Sequence, residues 1–195
     1  MKQAIALFAL LSALVCSCSG PVNVETEAGP VRLSCYTPGI VRVEKPLAGI
    51  QQGKDSSLCV ILQPQKVRRS VSKSGGNVTI STDSLIVSVC LADGCVSFYR
   101  PDGSALLSEK PTAGEGVSQT FRLDDDEAIY GLGQHRYGKL NWRGETVEIF
   151  NKNMDISIPV LHSSKGWGIY WDELSPVRFA DGPDGMSFES DATDG

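Results

Sequence analysis

The chain has 195 residues, 41% hydrophobic and 21% charged, with a formal net charge of −5. That suffices for one domain with a real core. It argues against a nucleic-acid partner, because phosphate binding needs concentrated positive surface and the longest basic run is Lys66-Val67-Arg68-Arg69.

The N-terminus reads as an export signal. Lys2 precedes the largely apolar run Ala4 to Val15, which is too short to span a bilayer, since spanning takes about 20 apolar residues. Val15-Cys16-Ser17-Cys18 resembles a bacterial lipobox, with the small Ser17 before Cys18. Cys16 is the weaker choice, because Val15 before it is bulky. The resemblance implies cleavage before Cys18 and lipidation of that cysteine; plain secretion with an incidental cysteine is the alternative. The expected organisation is a lipoprotein signal peptide over 1–17, an anchor and linker over 18–30, and a folded body over 31–195. Acyl chains would hold that body on a membrane without a spanning helix. No acidic cluster directly follows Cys18-Ser19-Gly20, which favours the periplasmic side of the cell envelope over the cell surface.

Beyond the linker nearly every segment reads as strand. Val31 to Cys35 alternates, and so does Ile40 to Glu44 after Pro38-Gly39. Leu58 to Leu62 is an apolar run of strand length. Val78 to Thr82 follows Gly75-Gly76-Asn77, while Ser72 to Gly76 reads as a polar loop. Leu85 to Val89 pairs naturally with Val96 to Tyr99 around Asp93-Gly94, a tight-turn signal. Cys90 and Cys95 flank that turn; they either form a cross-hairpin disulfide or act as two small apolar side chains. Lys110 to Gln119 is a second polar loop. No window after residue 20 has a helical period. The fold class is all-β, an antiparallel β-sandwich or a barrel by strand spacing. Neither the cysteines nor the two histidines have the spacing of a metal site, so no metal or cofactor is expected.

The stretch from Glu127 to Asp172 says most. Asp124-Asp125-Asp126-Glu127 reads as a solvated acidic loop before Ala128-Ile129-Tyr130. Gly131-Leu132-Gly133-Gln134-His135 lacks the pattern of a phosphate loop, since strand-like residues follow it. Its glycines allow close backbone approach or a sharp turn at a bulge. His135 and His162 have no nucleophile or ordering carboxylate at readable spacing. Trp142, Trp167 and Trp171 could stack on sugar rings or pack in the core. Trp171 alternates with Ile169 and points to core; Trp142, in a turn beside Asn141 and Gly144, is the better sugar candidate. Phe150 to Asp155 interrupts two strand runs, Thr146 to Phe150 and Ile156 to Leu161, and is either a binding loop or a plain hairpin loop.

Tyr130-Gly131-Leu132-Gly133-Gln134, followed by Leu140-Asn141, Arg143-Gly144 and Gly166-Trp167-Gly168, resembles the N-terminal β-sandwich of family 31 glycoside hydrolases. The resemblance implies a galactose-mutarotase-like sandwich preceding a catalytic barrel. In the family a loop from the sandwich reaches the sugar pocket, and the positions that match are Asn153 and then Asp155. Asn153 departs from the acidic residue that some members carry, but offers both a donor and an acceptor to hydroxyls. The run through Leu140-Asn141 and the Ile156-Ser157-Ile158-Pro159 run favour the α-xylosidase subgroup.

Family members are retaining enzymes with two carboxylates about 5–5.5 Å apart, and the resemblance places both in the barrel. The barrel alone takes roughly 250 residues, so this chain is expected to be truncated before it and inactive alone. The implied partner is an α-linked oligosaccharide, held in a pocket shared with the missing barrel. Two other readings stay open: a free-standing carbohydrate-binding lipoprotein, and a structural envelope protein without a ligand.

Overall fold

Alternation of buried and exposed side chains runs through most strands of the molecule, a computed structural model that describes residues 14–18, 20–45, 57, 59–111, 117–173 and 175–190. The strands form three antiparallel sheets. The long sheet runs β1 (Leu14–Cys18), β5 (Val67–Ser74), β6 (Asn77–Ser81), β7 (Ile86–Cys90), β8 (Val96–Tyr99), β9 (Ala105–Lys110), β10 (Val117–Arg122), β16 (Gly185–Ser190), β15 (Val177–Gly182) and β12 (Thr146–Ile149) in spatial order. A small sheet is formed by β2 (Val22–Thr26), β3 (Gly29–Thr37) and β4 (Ile40–Glu44). A second small sheet has the order β11 (Ile129–Gln134), β13 (Ile156–Ser163), β14 (Gly168–Tyr170). The all-β sandwich expected from the sequence is present.

Each small sheet packs on a different half of the long one. Val24, Val31, Leu33 and Cys35 meet Val67, Ile80, Val87, Val89 and Val96 in one core. Ile129, Leu132 and Leu161 meet Phe121, Val147, Phe179, Met186 and Phe188 in the other. Phe98 touches both cores. Trp171 stacks on Phe188 at 4.9 Å, the packing role that its alternation with Ile169 suggests.

Polar contacts tie the sheets across their ends. Lys45, just after β4, bonds Glu109 of β9 at 2.5 Å and Gln119 of β10 at 2.9 Å, and the Glu109 carboxylate also accepts the Val96 N–H. Burial raises the Glu109 carboxyl above its ordinary range, against the pull of Lys45. Asp172 receives the Ser57 hydroxyl at 2.8 Å and pairs with Arg42 at 3.4 Å.

Several elements differ from the expectation. Val22–Thr26, placed with the linker, is a strand whose Val24 is buried. Ser72 to Ser74, read as loop, completes β5. Residues 59–62 of the Leu58 to Leu62 run form no strand, because they pair with no neighbour; residue 58 lies outside the described residues. Thr146–Ile149 and Ile156–Ser163 are not a hairpin: β12 pairs with β15, and β13 with β11 and β14. The 150–155 loop therefore crosses from the long sheet to a small one.

Candidate functional site

The site starts from a β-bulge. Pairing of β11 with β13 shifts register between Gly131 and Gly133. Gly131, Leu132 and Gly133 all have positive φ, at 111°, 62° and 96°. A Cβ at Gly131 would lie 2.5 Å from the Val160 carbonyl oxygen, and one at Gly133 would lie 2.0 Å from that of Ile156. No side chain fits in either gap, so only glycine permits this approach. The bulge turns Leu132 wholly into the core and aims its carbonyl, with that of Gly131, at the following segment. There the Trp142 indole N–H donates to Gly131 O at 2.9 Å, and His135 Nε2 lies 2.7 Å from Leu132 O.

That following segment is a hydrogen-bonded frame. Asn141 Oδ1 accepts from the Ile129 and Arg143 N–H groups. Arg143 donates through Nε to Asp181 at 2.8 Å and through Nη1 to the carbonyls of Asp124 and Glu127. The buried Glu127 carboxylate takes the Ser163 hydroxyl and the Asp124 N–H. Lys165 holds Asp126 at 2.7 Å, which depresses that carboxyl's pKa. The acidic run is thus a latch between β10 and the end of β13. Among the described residues no group of three or more His, Cys, Asp or Glu is placed to hold a metal.

Trp142 is 4% exposed, with His135 and Tyr137 edge-on to its ring at 5.5 Å and 6.3 Å. Most of its ring packs in the core cluster, and the rest borders the larger of the two depressions described below. The exposed ring is Tyr137, stacked on His135 at 5.6 Å. Tyr137 and Leu140 form one rim at this end of the small sheet. Their apolar character amid Gly138, Lys139 and Asn141 is the signal that could have singled them out.

The 150–155 loop forms a second rim beside it at the same end of the sheet, because Gln134 and Ile156 are register partners. Lys152 and Asp155 bridge around Asn153-Met154, and Met154 takes a positive φ of 79° while exposed. This conformation is costly for a side chain other than Gly or Asn. The loop's foot is fixed: Asn151 Oδ1 accepts the Ser157 N–H, the Ser157 hydroxyl donates to Phe150 O, and Lys152 Nζ sits 4.3 Å over the Phe150 ring. Asn153 projects at the tip, exposed. Asp155 is half-buried, and its Oδ1 has no partner among the described residues. Asn153 and Asp155 therefore share one loop, while Trp142 stands behind the other rim.

Two depressions flank these rims. One, of about 520 Å3, is lined by Tyr130, His135, Lys139, Leu140, Trp142 and His162, together with Gln134 and the bulge glycines, and has no carboxylate among them. The other, of about 220 Å3, lies between Phe150, Asn151, Ser157, Ser175 and Pro176, and the one carboxylate among its lining residues is Glu173.

The remaining candidates lie elsewhere. Cys90 and Cys95 face each other at the β7–β8 hairpin end, with Cys90 N–H donating to Cys95 O at 2.9 Å, and both thiols are free. Burial first, with Asp93 beside it, pushes the Cys95 thiol up to about 12. That leaves little thiolate for disulfide exchange near neutral pH. Cys18 ends β1, whose side chains are outside the described residues, as are 1–13.

Comparison with known proteins fits this geometry. Residues 30–179 match the model of the glycosyl hydrolase 31 N-terminal galactose mutarotase-like domain. An α-xylosidase of Saccharolobus solfataricus is 31% identical over 174 residues, covering 80% of this chain and 23% of the relative. The crystal structure of a GH31 α-xylosidase from Xanthomonas citri is 32% identical with a TM-score of 0.75, covering 86% of this chain and 20% of that one. A Flavobacterium johnsoniae GH31 dextranase solved with isomaltotriose shares the fold at 22% identity and a TM-score of 0.73, covering 90% of this chain and 25% of that one. The chain thus spans about a quarter or less of the length of these three proteins.

Proposed function

Because the chain belongs to glycosyl hydrolase family 31 through its N-terminal galactose mutarotase-like domain, we propose that it is the accessory sandwich of a retaining, α-xylosidase-like glycosidase. In this reading it lends the 150–155 loop to a pocket for an α-linked oligosaccharide. One observation carries the proposal. The 150–155 loop, which crosses from the long sheet to the small one, presents an exposed Asn153 on a fixed foot, yet neither depression described above is lined by two carboxylates. Retaining hydrolysis needs a nucleophile and an acid on opposite sides of the scissile bond. Those groups must come from another part of the enzyme. The sandwich's contribution is positioning and exclusion of water.

The test joins the full chain to the remainder of the Saccharolobus α-xylosidase, in place of the stretch it matches. Asn153→Ala in the joined protein should lower kcat/KM on nitrophenyl α-xyloside by roughly tenfold, as loss of one hydrogen bond to a sugar hydroxyl predicts. Its melting midpoint should stay unchanged. An unaltered kcat/KM would remove Asn153 from the site.

A free-standing sugar-binding module is the second reading, favoured by the aromatic and histidine lining of the larger depression. It requires saturable oligosaccharide binding by this chain alone.

Lipidation at Cys18 and a periplasmic address belong to the same proposal. Cleavage there would remove four residues of β1 and leave β5 at the sheet edge. The exposed Arg68 and Lys73 make β5 a charged edge, which resists pairing with other chains. Cys18→Ser should release the protein from the membrane fraction; retention in that fraction would contradict lipidation.

A further inference from the structure

Three hairpin ends meet at the β7–β8 turn. The Glu27 N–H, in the β2–β3 turn, donates to Leu91 O at 2.8 Å, and the Leu91 N–H donates to Gly76 O, in the β5–β6 turn, at 2.9 Å. Gly94 stands so near the first of these turns that a Cβ on it would lie 3.1 Å from Thr26 Oγ1. Cys90 and Cys95 close the β7–β8 turn at its base. They extend by one step the register that pairs Val89 with Val96. Both valines are wholly buried, so the two cysteines, next along each strand, share the outward face of the long sheet. Both cysteines are half-buried.

The spacing suits a covalent bridge. The Cys90 N–H donates to Cys95 O at 2.9 Å, and the Gly94 N–H donates to Cys90 O at 3.0 Å. Antiparallel partners bonded to each other have Cα atoms about 5.5 Å apart, inside the range of about 4.4–6.8 Å that a disulfide spans. Asp93 ties the two thiols together. Its carboxylate takes the Cys95 N–H at 2.9 Å and then both thiols, and these donors hold its pKa below the usual range. Cys35 lies in the core opposite Val41, and Cys59 is exposed outside any strand, so neither is the register partner of another cysteine.

We propose that Cys90 and Cys95 are an intrachain disulfide site, closed while the chain folds by exchange with a disulfide donor of an oxidising compartment. The exported address proposed above supplies such a compartment; the site itself depends neither on the 150–155 loop nor on a sugar. One cysteine attacks the donor disulfide and releases one donor thiol. The other attacks the cysteine sulfur of that mixed disulfide and releases the second. The two thiol protons pass to the two donor sulfurs, so the donor is reduced as the Cys90–Cys95 bond forms. Folding is the moment for this step. In the packed turn, burial first and then Asp93 keep Cys95 protonated, whereas a thiol of the open chain ionises in its ordinary range. Once formed, the bond fastens the point where the three hairpin ends meet, and so holds the β2–β3–β4 sheet on the long one.

Oxidative refolding of the full chain tests the site. The chain, reduced and unfolded in urea, is diluted into mixed oxidised and reduced glutathione, and its cysteines are mapped by peptide mass spectrometry. A Cys90–Cys95 link, lighter than the dithiol by two hydrogens, should dominate, with Cys35 still a thiol. Deuterium exchange at the Glu27, Leu91 and Gly94 amides should be several-fold slower in the linked form than in the reduced one. Chain that is folded before it meets the same mixture should link several-fold more slowly, and Asp93→Asn should recover part of that speed. Refolded chain in which Cys90 and Cys95 remain open to alkylation, or are joined to other cysteines instead, would overturn the site. A link formed as fast in the folded chain as during refolding would overturn closure during folding. Cys90→Ser should abolish the link and the slowed exchange together; exchange equally slow in that variant would overturn the fastening role. Retention of Cys18→Ser in the membrane fraction would bear on the address alone and leave this link in place.

Discussion

Gly133→Ala should cost on the order of 4 kcal/mol of folding stability. The added methyl would lie 2.0 Å from the Ile156 carbonyl oxygen and 2.8 Å from the Ile158 nitrogen. Both are backbone atoms of the paired strand, so no side chain can swing aside. The φ of 96° adds strain for any residue with a Cβ. Relief requires β11 to part from β13, which exposes Leu132 and breaks the support of Trp142. Domains of this size hold about 5–15 kcal/mol in all, so the variant should unfold at far lower denaturant or be recovered as aggregate. Gly138→Ala is the control. Its φ of 65° is also positive, but its Cβ would meet nothing within 4 Å, so a loss of about 1 kcal/mol is expected. Equal denaturation midpoints for the two variants would refute the close-approach explanation.

Trp142→Ala should cost about 3–5 kcal/mol, the range for emptying a large aromatic site in a core. Trp142→Phe should recover part of that loss, because it keeps the ring but strands the Gly131 carbonyl that the indole N–H satisfies. These losses appear in urea midpoints whether or not sugar is present. A Trp142→Ala variant that is as stable as the parent but blind to oligosaccharide would return Trp142 to the sugar-stacking role.

Much of the fold was legible because the residues left few options. The β7–β8 hairpin followed from two apolar runs around Asp93-Gly94, and Gly94 has the positive φ that the turn needs. Gly131 and Gly133 pointed to a bulge because no helix start follows them, and the structure places one there. The missed strands pair with their nearest neighbours, β2 with β3 and β5 with β6, so what hid them is their own side chains rather than distant partners. Charges at Arg68, Arg69 and Lys73 hid β5, although Arg69 is buried and donates to the Gly20 carbonyl. Val22–Thr26 looked like linker until β3 supplied a partner and Val24 a core. Leu58 to Leu62 had the composition of a strand, and residues 59–62 found no edge to join. At the site, the 150–155 loop was recognisable from its polar residues between strands. That it crosses between sheets was not, because a loop's local sequence does not record which sheets its flanking strands enter. The burial of Trp142 was hidden for the same reason: its turn-like neighbours describe the backbone path, and the bulge 11 residues earlier sets where the ring goes.

Nitrophenol release from nitrophenyl α-xyloside by the purified chain, followed at high protein concentration, tests most directly whether the cutting groups lie outside these strands. The background rate of the buffer is expected, unchanged by added chain. Saturable release that scales with protein and disappears on Glu173→Gln would show a working acid in the cleft beside Phe150, and the chain would be an enzyme in its own right.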